Sequence, residues 1–179
     1  VCVEGYQAPI KTIGNSTTTP RDLVNDLDVK IILMALSESV ASRLRENGFQ
    51  CKVIEMSIRD NELYHFSWQC KLKRPTNITD EIVQAAYRLF KDNCRWEHPI
   101  RSLGVRGCDL VSEDMPYQLD LFMSEQKREK LEKMDQVVDE IRARFGYQSI
   151  QRAFVYQDKI LAQLNAREHT VHPQGYFHG

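Results

Sequence analysis

The sequence lacks an apolar stretch long enough to cross a lipid bilayer. Its longest one lies near Ile31–Leu36, whereas a transmembrane helix needs about 20 predominantly apolar residues. A recognisable signal peptide is also missing. The chain begins Val-Cys-Val-Glu rather than with Met, so we expect it to be a piece of a longer protein. No membrane partner is expected.

Cysteine pairs typical of metal or disulfide frameworks are absent as well. The five cysteines are odd in number and scattered, and no C-x-x-C pair occurs. A disulfide or zinc framework remains the alternative, but the pattern favours reduced thiols in a cytosolic protein. We therefore expect a cytoplasmic location.

An excess of charge of either sign is the third absence. The chain has 24 basic and 25 acidic residues and a formal net charge of -1. Overall charge therefore does not favour nucleic-acid binding, and any such function must depend on where the cations lie. With 179 residues, of which 42% are hydrophobic, the chain can form one packed domain with an appendage.

Hydrophobic periodicity predicts a strand, a loop and a helix in the first third of the chain. The segment 1–9 is expected to be a linker. Ile10–Ile13 is short and β-branched and predicts a strand, and the run of small hydroxyl residues from Gly14 to Pro20 predicts a loop. From Asp28 the apolar spacing of three and four predicts a helix ended by Asn47-Gly48. Its buried stripe would contain Val29, Ile32, Leu33, Leu36, Val40 and Leu44.

The period then changes to two, which predicts a hairpin, a helix and a last strand. The inward residues of the hairpin are Ile54, Met56 and Ile58, then Phe66, Trp68, Cys70 and Leu72, with a turn at Asp60-Asn61 and an end at Pro75. Thr79 is a candidate N-cap for a helix that buries Ile82, Ala86, Leu89 and Phe90. A fourth strand follows over Ile100–Leu110, with Leu103 and Val105 inward.

The order β-α-β-β-α-β predicts an α+β, ferredoxin-like domain over residues 10–112, with a four-stranded antiparallel sheet and two helices on one face. Residues 113–123 are expected to be a linker, and 124–179 a helical extension. Its first helix would present Leu131, Met134, Val138, Ile141 and Phe145 as a seam that packs on the domain or on a partner, such as a second copy. A shorter helix is predicted over Ser149–Asn165, followed by a frayed tail from residue 167 to 179.

The helix-free face of the predicted sheet is basic. By strand parity it carries Arg59, Lys71, Lys73 and Arg106 among Ser57, Ser67, Gln69 and Ser102, with Glu55 as the one acid. Cations and hydroxyls on exposed strands suit the binding of phosphates without base reading. An ordinary solvated face explains the alternation about equally well. Because no aromatic residue falls on this face, stacking of single-stranded bases is disfavoured.

A second candidate site is the segment Gln118, Leu119, Asp120, Leu121 and Phe122. Its apolar residues stand in a polar linker, where no core is expected to bury them. Such a peptide can insert Leu121 and Phe122 into a pocket on a partner while Gln118 bonds at the rim. The alternative is that it packs back onto the domain.

These residues resemble a known family. Gln-Leu-Asp-Leu-Phe is similar to the consensus peptide by which bacterial replication and repair proteins bind the sliding clamp. Ile-Lys-Thr-Ile-Gly-Asn-Ser at residues 10–16 and Ile-Arg-Ser-Leu-Gly-Val-Arg at 100–106 resemble segments of Y-family translesion DNA polymerases, the ImpB/MucB/SamB group. The likeness runs from about Ala8 to Phe122 and weakens in the charged helix beyond.

The resemblance implies that the parent is an error-prone DNA-directed DNA polymerase of DNA repair and damage tolerance, and that this chain is its non-catalytic little finger. The partners implied are template-primer DNA and the bacterial sliding clamp, in the cytoplasm at the nucleoid. Magnesium is implied for the parent alone. Together with the basic face, the resemblance gives as DNA-binding residues Lys11, Thr12, Gly14, Ser16, Arg59, Gln69, Lys71, Lys73, Ser102 and Arg106.

Other functions fit the sequence less well. Asp22, Asp26 and Asp28 are clustered but stand where a helix begins, so we interpret them as capping residues. A metal hydrolase would need His169, His172 and His178, which fall in the expected tail without a fixed set of ligands. We therefore expect no catalytic residue and no metal in this chain. The main alternative is a clamp-binding or oligomerising adaptor that makes no contact with DNA.

Overall fold

The computed structural model describes residues 10–114 and 125–163. Residues 1–9, the segment 118–122 and the tail from residue 167 lie outside them. The regular elements are β1 (Thr12–Leu23), α1 (Asp26–Glu46), β2 (Phe49–Asp60), β3 (His65–Thr76), α2 (Thr79–Asn93), β4 (Ile100–Ser112) and α3 (Glu125–Phe145). Three short 3-10 turns follow, at Tyr147–Ser149, Ala153–Gln157 and Leu161–Gln163.

The sheet has the predicted ferredoxin-like topology. Its four strands are ordered β1-β4-β2-β3 and pair antiparallel throughout. Ile13, Ile54, Met56, Leu103 and Val105 point inward and are at most 3% exposed. They pack under α1 and α2, so both helices cover one face of the sheet. The α+β prediction is confirmed, and so is the inward parity of β2 and β4.

The predicted loop over Gly14–Pro20 is wrong, because β1 continues through it to Leu23. The register with β4 is unbroken from Thr12 opposite Cys108 to Thr18 opposite Ser102. The β-branched threonines fit a pleated strand at least as well as a loop. Pro20 is accommodated because β1 is an edge strand and its register shifts between Thr18 and Leu23.

Helix α1 begins two residues earlier than predicted. The side chain of Asn25 accepts a hydrogen bond of 2.9 Å from the Asp28 backbone N–H, which makes Asn25 the N-cap. Polar residues such as Ser37, Glu38 and Ser39 on this helix are also buried. They are buried because α1 lies between the sheet and the C-terminal extension, whose Val155 and Leu161 join the core.

Helix α2 is not capped by Thr79, which is its first helical residue. The Thr79 backbone N–H instead donates to Asp135 Oδ2 of α3 at 2.7 Å, and the Ile78 N–H donates to Thr76 Oγ1 at 3.1 Å. A side chain distant in sequence has replaced the local cap. Local sequence pattern alone cannot reveal such a contact.

The C-terminal extension packs on the domain through charged residues. The buried residues of α3 are Asp135 and Arg142, whereas Met134 and Phe145 of the predicted seam are 41% and 68% exposed. Ion pairs to α1, such as that from Arg142 to Glu38 at 2.9 Å, fix this rotation of the helix. Of the two predicted alternatives, packing of the whole seam on the domain is therefore not observed, because Met134 and Phe145 stay exposed.

The second predicted helix of the extension, over Ser149–Asn165, is also wrong in the described part of that range. Extended backbone at Ile150, Arg152 and Asp158 divides the segment into short 3-10 turns. Asp158 Oδ1 accepts from the N–H groups of Ile160 and Leu161 at 2.8 and 3.0 Å. Such local bonds from aspartate compete with a continuous helix.

Candidate nucleic-acid interface

The outer face of the sheet is built from matched rows of residues that cross its strands. Alternation along each strand sends one set of side chains away from the helices, and the register places these side chains side by side. Neighbours within a row have Cβ atoms about 5 Å apart, except at Gly14 and Gly104, which have none. The rows are Thr12–Cys108–Val53–Lys71, Gly14–Arg106–Glu55–Gln69, Ser16–Gly104–Ser57–Ser67 and Thr18–Ser102–Arg59–His65.

The structure brings the predicted DNA-binding residues together on this outer face. Eight of them occupy the four rows: Thr12, Gly14, Ser16, Arg59, Gln69, Lys71, Ser102 and Arg106. Lys73 is exposed two residues beyond Lys71 on β3, and Lys11 is exposed immediately before β1. Parity and topology thus gather residues that are up to 94 positions apart, from Thr12 to Arg106, whereas Lys11 has the parity of the inward-pointing Ile13 and is not placed on the face by alternation.

The cations on the outer face differ in their surroundings. Arg106 Nη1 lies 3.3 Å from Glu55 Oε1 in the adjacent strand, which offsets its charge. Arg59, Lys71 and Lys73 make no ion pair with any carboxylate in the described parts of the chain. Burial raises the pKa of the Cys108 thiol, so this group adds no negative charge at neutral pH. The face therefore carries a net positive charge although the whole chain does not.

One end of the outer face forms a small polar cup of about 250 Å³. Hydroxyl groups line it together with the side chains of Arg59 and His65. Thr18 Oγ1 and Ser102 Oγ are 3.1 Å apart and form a hydrogen bond in which either hydroxyl can donate. Gly104 leaves space for the Ser57 side chain in the adjacent row, since a Cβ at residue 104 would lie 2.5 Å from Ser57 Oγ. The cup offers several hydrogen-bond donors and a guanidinium to an anion.

Three residues of the cup, Thr18, Ser57 and His65, are missing from the predicted set of DNA-binding residues. Thr18 was missed because its segment looked like a loop. Ser57 already appears on the face by parity, and His65 stands two positions before Ser67 on the same strand. Extending the alternation of β3 by one step would have found His65.

The acidic cluster at the start of α1 has structural partners. Asp28 pairs with Arg21 at 2.8 Å, and Asp26 accepts from Lys91 Nζ at 2.7 Å and from Trp96 Nε1 at 3.1 Å. The hydrogen bond from Arg21 lowers the pKa of Asp28, and the one from Lys91 lowers the pKa of Asp26. These carboxylates anchor α1 to β1 and α2, which is consistent with a structural role.

Within residues 10–114 and 125–163, no three or more His, Cys, Asp or Glu side chains are placed to hold a metal ion. None of the described helices is both long and apolar enough to cross a membrane.

Comparison with known proteins places the chain in a family. The profile of the impB/mucB/samB family C-terminal domain matches residues 10–121, which include all four strands and both helices of the ferredoxin-like domain. The chain belongs to the impB/mucB/samB family. The ferredoxin-like domain described above is thus an impB/mucB/samB C-terminal domain.

Several curated proteins are similar to this family member. DNA polymerase IV of Acetivibrio thermocellus is 45% identical over 158 residues, which are 88% of this chain and 40% of that protein. DNA polymerase IV 2 of Bacillus subtilis is 37% identical over 151 residues, which are 80% of this chain and 34% of that protein. The chain therefore spans well under half of these relatives.

The first alignment also includes the C-terminal extension. Residues 1–121 are roughly two thirds of the 179-residue chain, so an alignment over 88% of it must continue through α3. A solved structure titled "Complex of beta-clamp processivity factor and little finger domain of PolIV" matches with a TM-score of 0.45 and 16% identity, over 63% of this chain and 99% of that one.

Proposed function

We propose that this chain is the little finger of an error-prone Y-family DNA polymerase of DNA repair and damage tolerance, and that the outer face of its sheet holds the backbone of template-primer DNA. The observation that carries the proposal is a set of three cations, Arg59, Lys71 and Lys73, that share an exposed sheet face with aligned hydroxyls and form no ion pair within the described parts of the chain. Membership of the impB/mucB/samB family and the similarity to bacterial DNA polymerases IV support it.

The geometry favours contacts to phosphates over contacts to bases. Lysine and arginine on the outer face displace condensed counterions, and serine and threonine hydroxyls donate to phosphate oxygens. A flat row of short side chains cannot reach base edges deep in a groove. Binding is therefore independent of sequence, as copying any template requires.

The polar cup is where we expect one phosphate to be held most firmly. Arg59 supplies a fork of N–H donors, and the hydroxyls of Thr18 and Ser102 are oriented by their mutual hydrogen bond. His65 adds a donor to the rim. No carboxylate is among the described residues that line this cup. A phosphate there meets several donors and no repelling charge.

In this proposal the chain catalyses nothing itself. The polymerase chemistry, with its magnesium, belongs to other domains of the parent, and no step of it passes through the residues described above. The little finger positions the duplex beside that active site. It thereby influences lesion tolerance and processivity in the bacterial cytoplasm, at the nucleoid.

Charge reversal on the outer face tests the DNA interface. Lys71→Glu with Lys73→Glu should weaken binding of a fluorescent primer-template duplex and reduce the salt slope of log Kd by about 2, near 0.9 per lost phosphate contact. The matched control is Lys130→Glu with Lys133→Glu, which makes the same charge change at exposed positions of α3. Equal effects of the two pairs would refute the assignment of the sheet face.

We also propose that residues 118–122 bind the bacterial sliding clamp, with Leu121 and Phe122 as the anchors. The support is the sequence Gln-Leu-Asp-Leu-Phe between the end of β4 and the start of α3. Replacing both anchors by alanine should abolish clamp binding in a surface-plasmon assay, since a few buried apolar side chains dominate such peptides. Undiminished affinity would refute this part of the proposal.

An oligomerising adaptor is the second candidate, favoured by the apolar surface of α3. Met134, Val137 and Phe145 are 41%, 53% and 68% exposed on it. A second copy could cover these residues through the helix at 131–145. Sedimentation equilibrium, which gives the oligomeric state, distinguishes the two candidates when it is combined with the duplex titration. A monomer that binds duplex DNA supports the little finger, and a dimer without DNA affinity supports the adaptor.

A further inference from the structure

The sheet carries an aromatic cavity on the side opposite the proposed phosphate contacts. The cavity has a volume of about 340 Å³ and lies between the turn that joins β2 to β3 and the loop that joins α2 to β4. Tyr64, Phe66, Trp68 and Trp96 line it, and we call it the aromatic pocket. We propose that the aromatic pocket binds an unpaired nucleobase of a DNA strand that continues beyond the duplex on the outer face. This inference rests on the proposed DNA binding and adds a contact to a base.

The aromatic pocket is open because β3 is an edge strand. Phe66 has the inward parity of its partner Ile58 on β2, and Trp68 follows it on the same side of β3. Trp68 packs against the hydrophobic core, whereas Phe66 is 47% and Tyr64 60% exposed. A cluster of exposed aromatic side chains is typical of a binding surface.

The rings of β3 already form a stack that a nucleobase can extend. The ring planes of Phe66 and Trp68 differ by 4°, and their centroids are 6.1 Å apart. Offset parallel rings attract each other through their π systems. Because Phe66 is the exposed member, a further flat ring can continue the stack on its side. Every nucleobase has such a face, so this contact does not depend on sequence.

The opposite wall of the aromatic pocket is held in place by the domain. Trp96 Nε1 donates to Asp26 Oδ1 at 3.1 Å, and the Trp96 ring meets that of Phe90 edge-on, with 5.4 Å between centroids. The loop is also joined to the β2–β3 turn, because the Asn61 N–H donates to the Pro99 carbonyl at 3.0 Å. Both walls are therefore formed in the chain alone, and a ligand need not order them.

The size and charge of the aromatic pocket suit a nucleotide. Ligand pockets have volumes of about 300–1,000 Å³, so this one takes a small flat group rather than a helix. Arg95 is exposed at the pocket and forms no ion pair with a carboxylate in the described residues, so it can bind the nucleotide's phosphate. Asp60 accepts from two backbone N–H groups of its own turn at 2.9 Å. Glu97 is exposed nearby and offsets part of the Arg95 charge, so stacking supplies most of the affinity.

The aromatic pocket adjoins the polar cup across a single strand. Ile58 lines both cavities, and His65 of the cup immediately precedes Phe66 of the pocket. In the described sheet β3 is the outermost strand, so a DNA strand can pass around it from one face to the other. A strand with a phosphate in the cup can therefore place an unpaired base in the pocket.

Tryptophan fluorescence tests base binding with the whole 179-residue chain, because its two tryptophans, Trp68 and Trp96, both line the aromatic pocket. The chain is titrated with two duplexes of one sequence. One has a 5′ template overhang of six thymidines, and the other has an overhang of six abasic residues, which keeps the phosphates and removes the bases. We expect the thymidine overhang to quench the fluorescence and to bind about fivefold more tightly or better, the effect of stacking one base.

Substitutions of one ring assign the effect to the aromatic pocket. Phe66→Leu keeps an apolar side chain on β3 but removes the ring, so it should make the two affinities equal without changing that for the abasic overhang. Phe66→Tyr retains a ring and should restore the preference. Phe145→Leu is the matched control, since it makes the same change at a phenylalanine of α3 that is 68% exposed. It should leave the preference intact.

Each outcome leads to a distinct conclusion. Equal affinity of the unmodified chain for the two overhangs, or a preference that Phe66→Leu leaves unchanged, overturns the inference alone. Tryptophan fluorescence that changes on dilution of the chain without DNA would mean that a second copy occupies the pocket, which also overturns it. Absence of binding to both duplexes at low salt overturns the proposed DNA interface and this inference with it.

Discussion

The substitution Asp135→Ala tests whether the C-terminal extension is part of the folded domain. The carboxylate is 3% exposed and accepts from the Thr79 N–H at 2.7 Å, from Arg45 at 3.2 Å and from Arg152 at 3.3 Å. Removing one partner of a buried ion pair costs about 3–5 kcal/mol. Both arginines keep other carboxylate partners. We therefore expect a loss of about 2–3 kcal/mol in the free energy of unfolding.

Two further variants separate the contributions at this site. Asp135→Asn keeps an oxygen for the Thr79 N–H and should cost about half as much as alanine. Asp139→Ala removes a more exposed carboxylate that binds Arg45 alone and should cost about 1 kcal/mol or less. Urea unfolding followed by circular dichroism measures all three. A change of less than about 0.5 kcal/mol for Asp135→Ala would refute the reasoning, since that is the usual effect of a surface substitution.

Three other predictions follow from single residues. Gly104→Ala should weaken duplex binding severalfold but change the free energy of unfolding by less than about 1 kcal/mol, because Ser57 can rotate away from the new methyl group. A variant that is unfolded at ordinary temperature would contradict this. The hydrogen bond from Arg21 lowers the pKa of Asp28, so the ionised carboxylate stabilises the fold above about pH 4, and this stability is lost as the pH falls through the folded-state pKa. Asp28→Asn should therefore reduce the dependence of the free energy of unfolding on pH in the acid range, and an unchanged dependence would count against this reasoning. Burial raises the pKa of Cys51 to about 12, so this thiol should not react with iodoacetamide at pH 8 until the chain unfolds. Mass spectrometry of labelled peptides measures the reaction, and rapid labelling of Cys51 in the native chain would contradict the prediction.

The ferredoxin-like domain could be predicted because its strands and helices carry clear local periodicity. Alternation in β2 and β4 gave the correct inward residues, and that parity alone placed Arg59, Lys71 and Arg106 on one face. The length of β1 could not be predicted in the same way. Its threonines and Pro20 suit a loop locally, and only pairing with β4 makes the segment a strand.

The packing of the extension could not be predicted because it depends on contacts between distant charges. Apolar spacing in α3 indicated a hydrophobic seam, but the helix turns Asp135 and Arg142 toward the domain. A buried ion pair has no periodic signature, since either partner looks like ordinary surface charge. The cap of α2 by Asp135 was invisible for the same reason.

Titration of the unmodified chain with a fluorescent primer-template duplex, at several salt concentrations and for two unrelated sequences, tests the central claim most directly. Three cations on the outer face that form no ion pair with any described residue predict binding at low salt, a slope of log Kd against log salt of about 3, and equal affinity for both sequences. Absence of binding at low salt, or binding that does not change with salt, would contradict the claim that this face holds the DNA backbone.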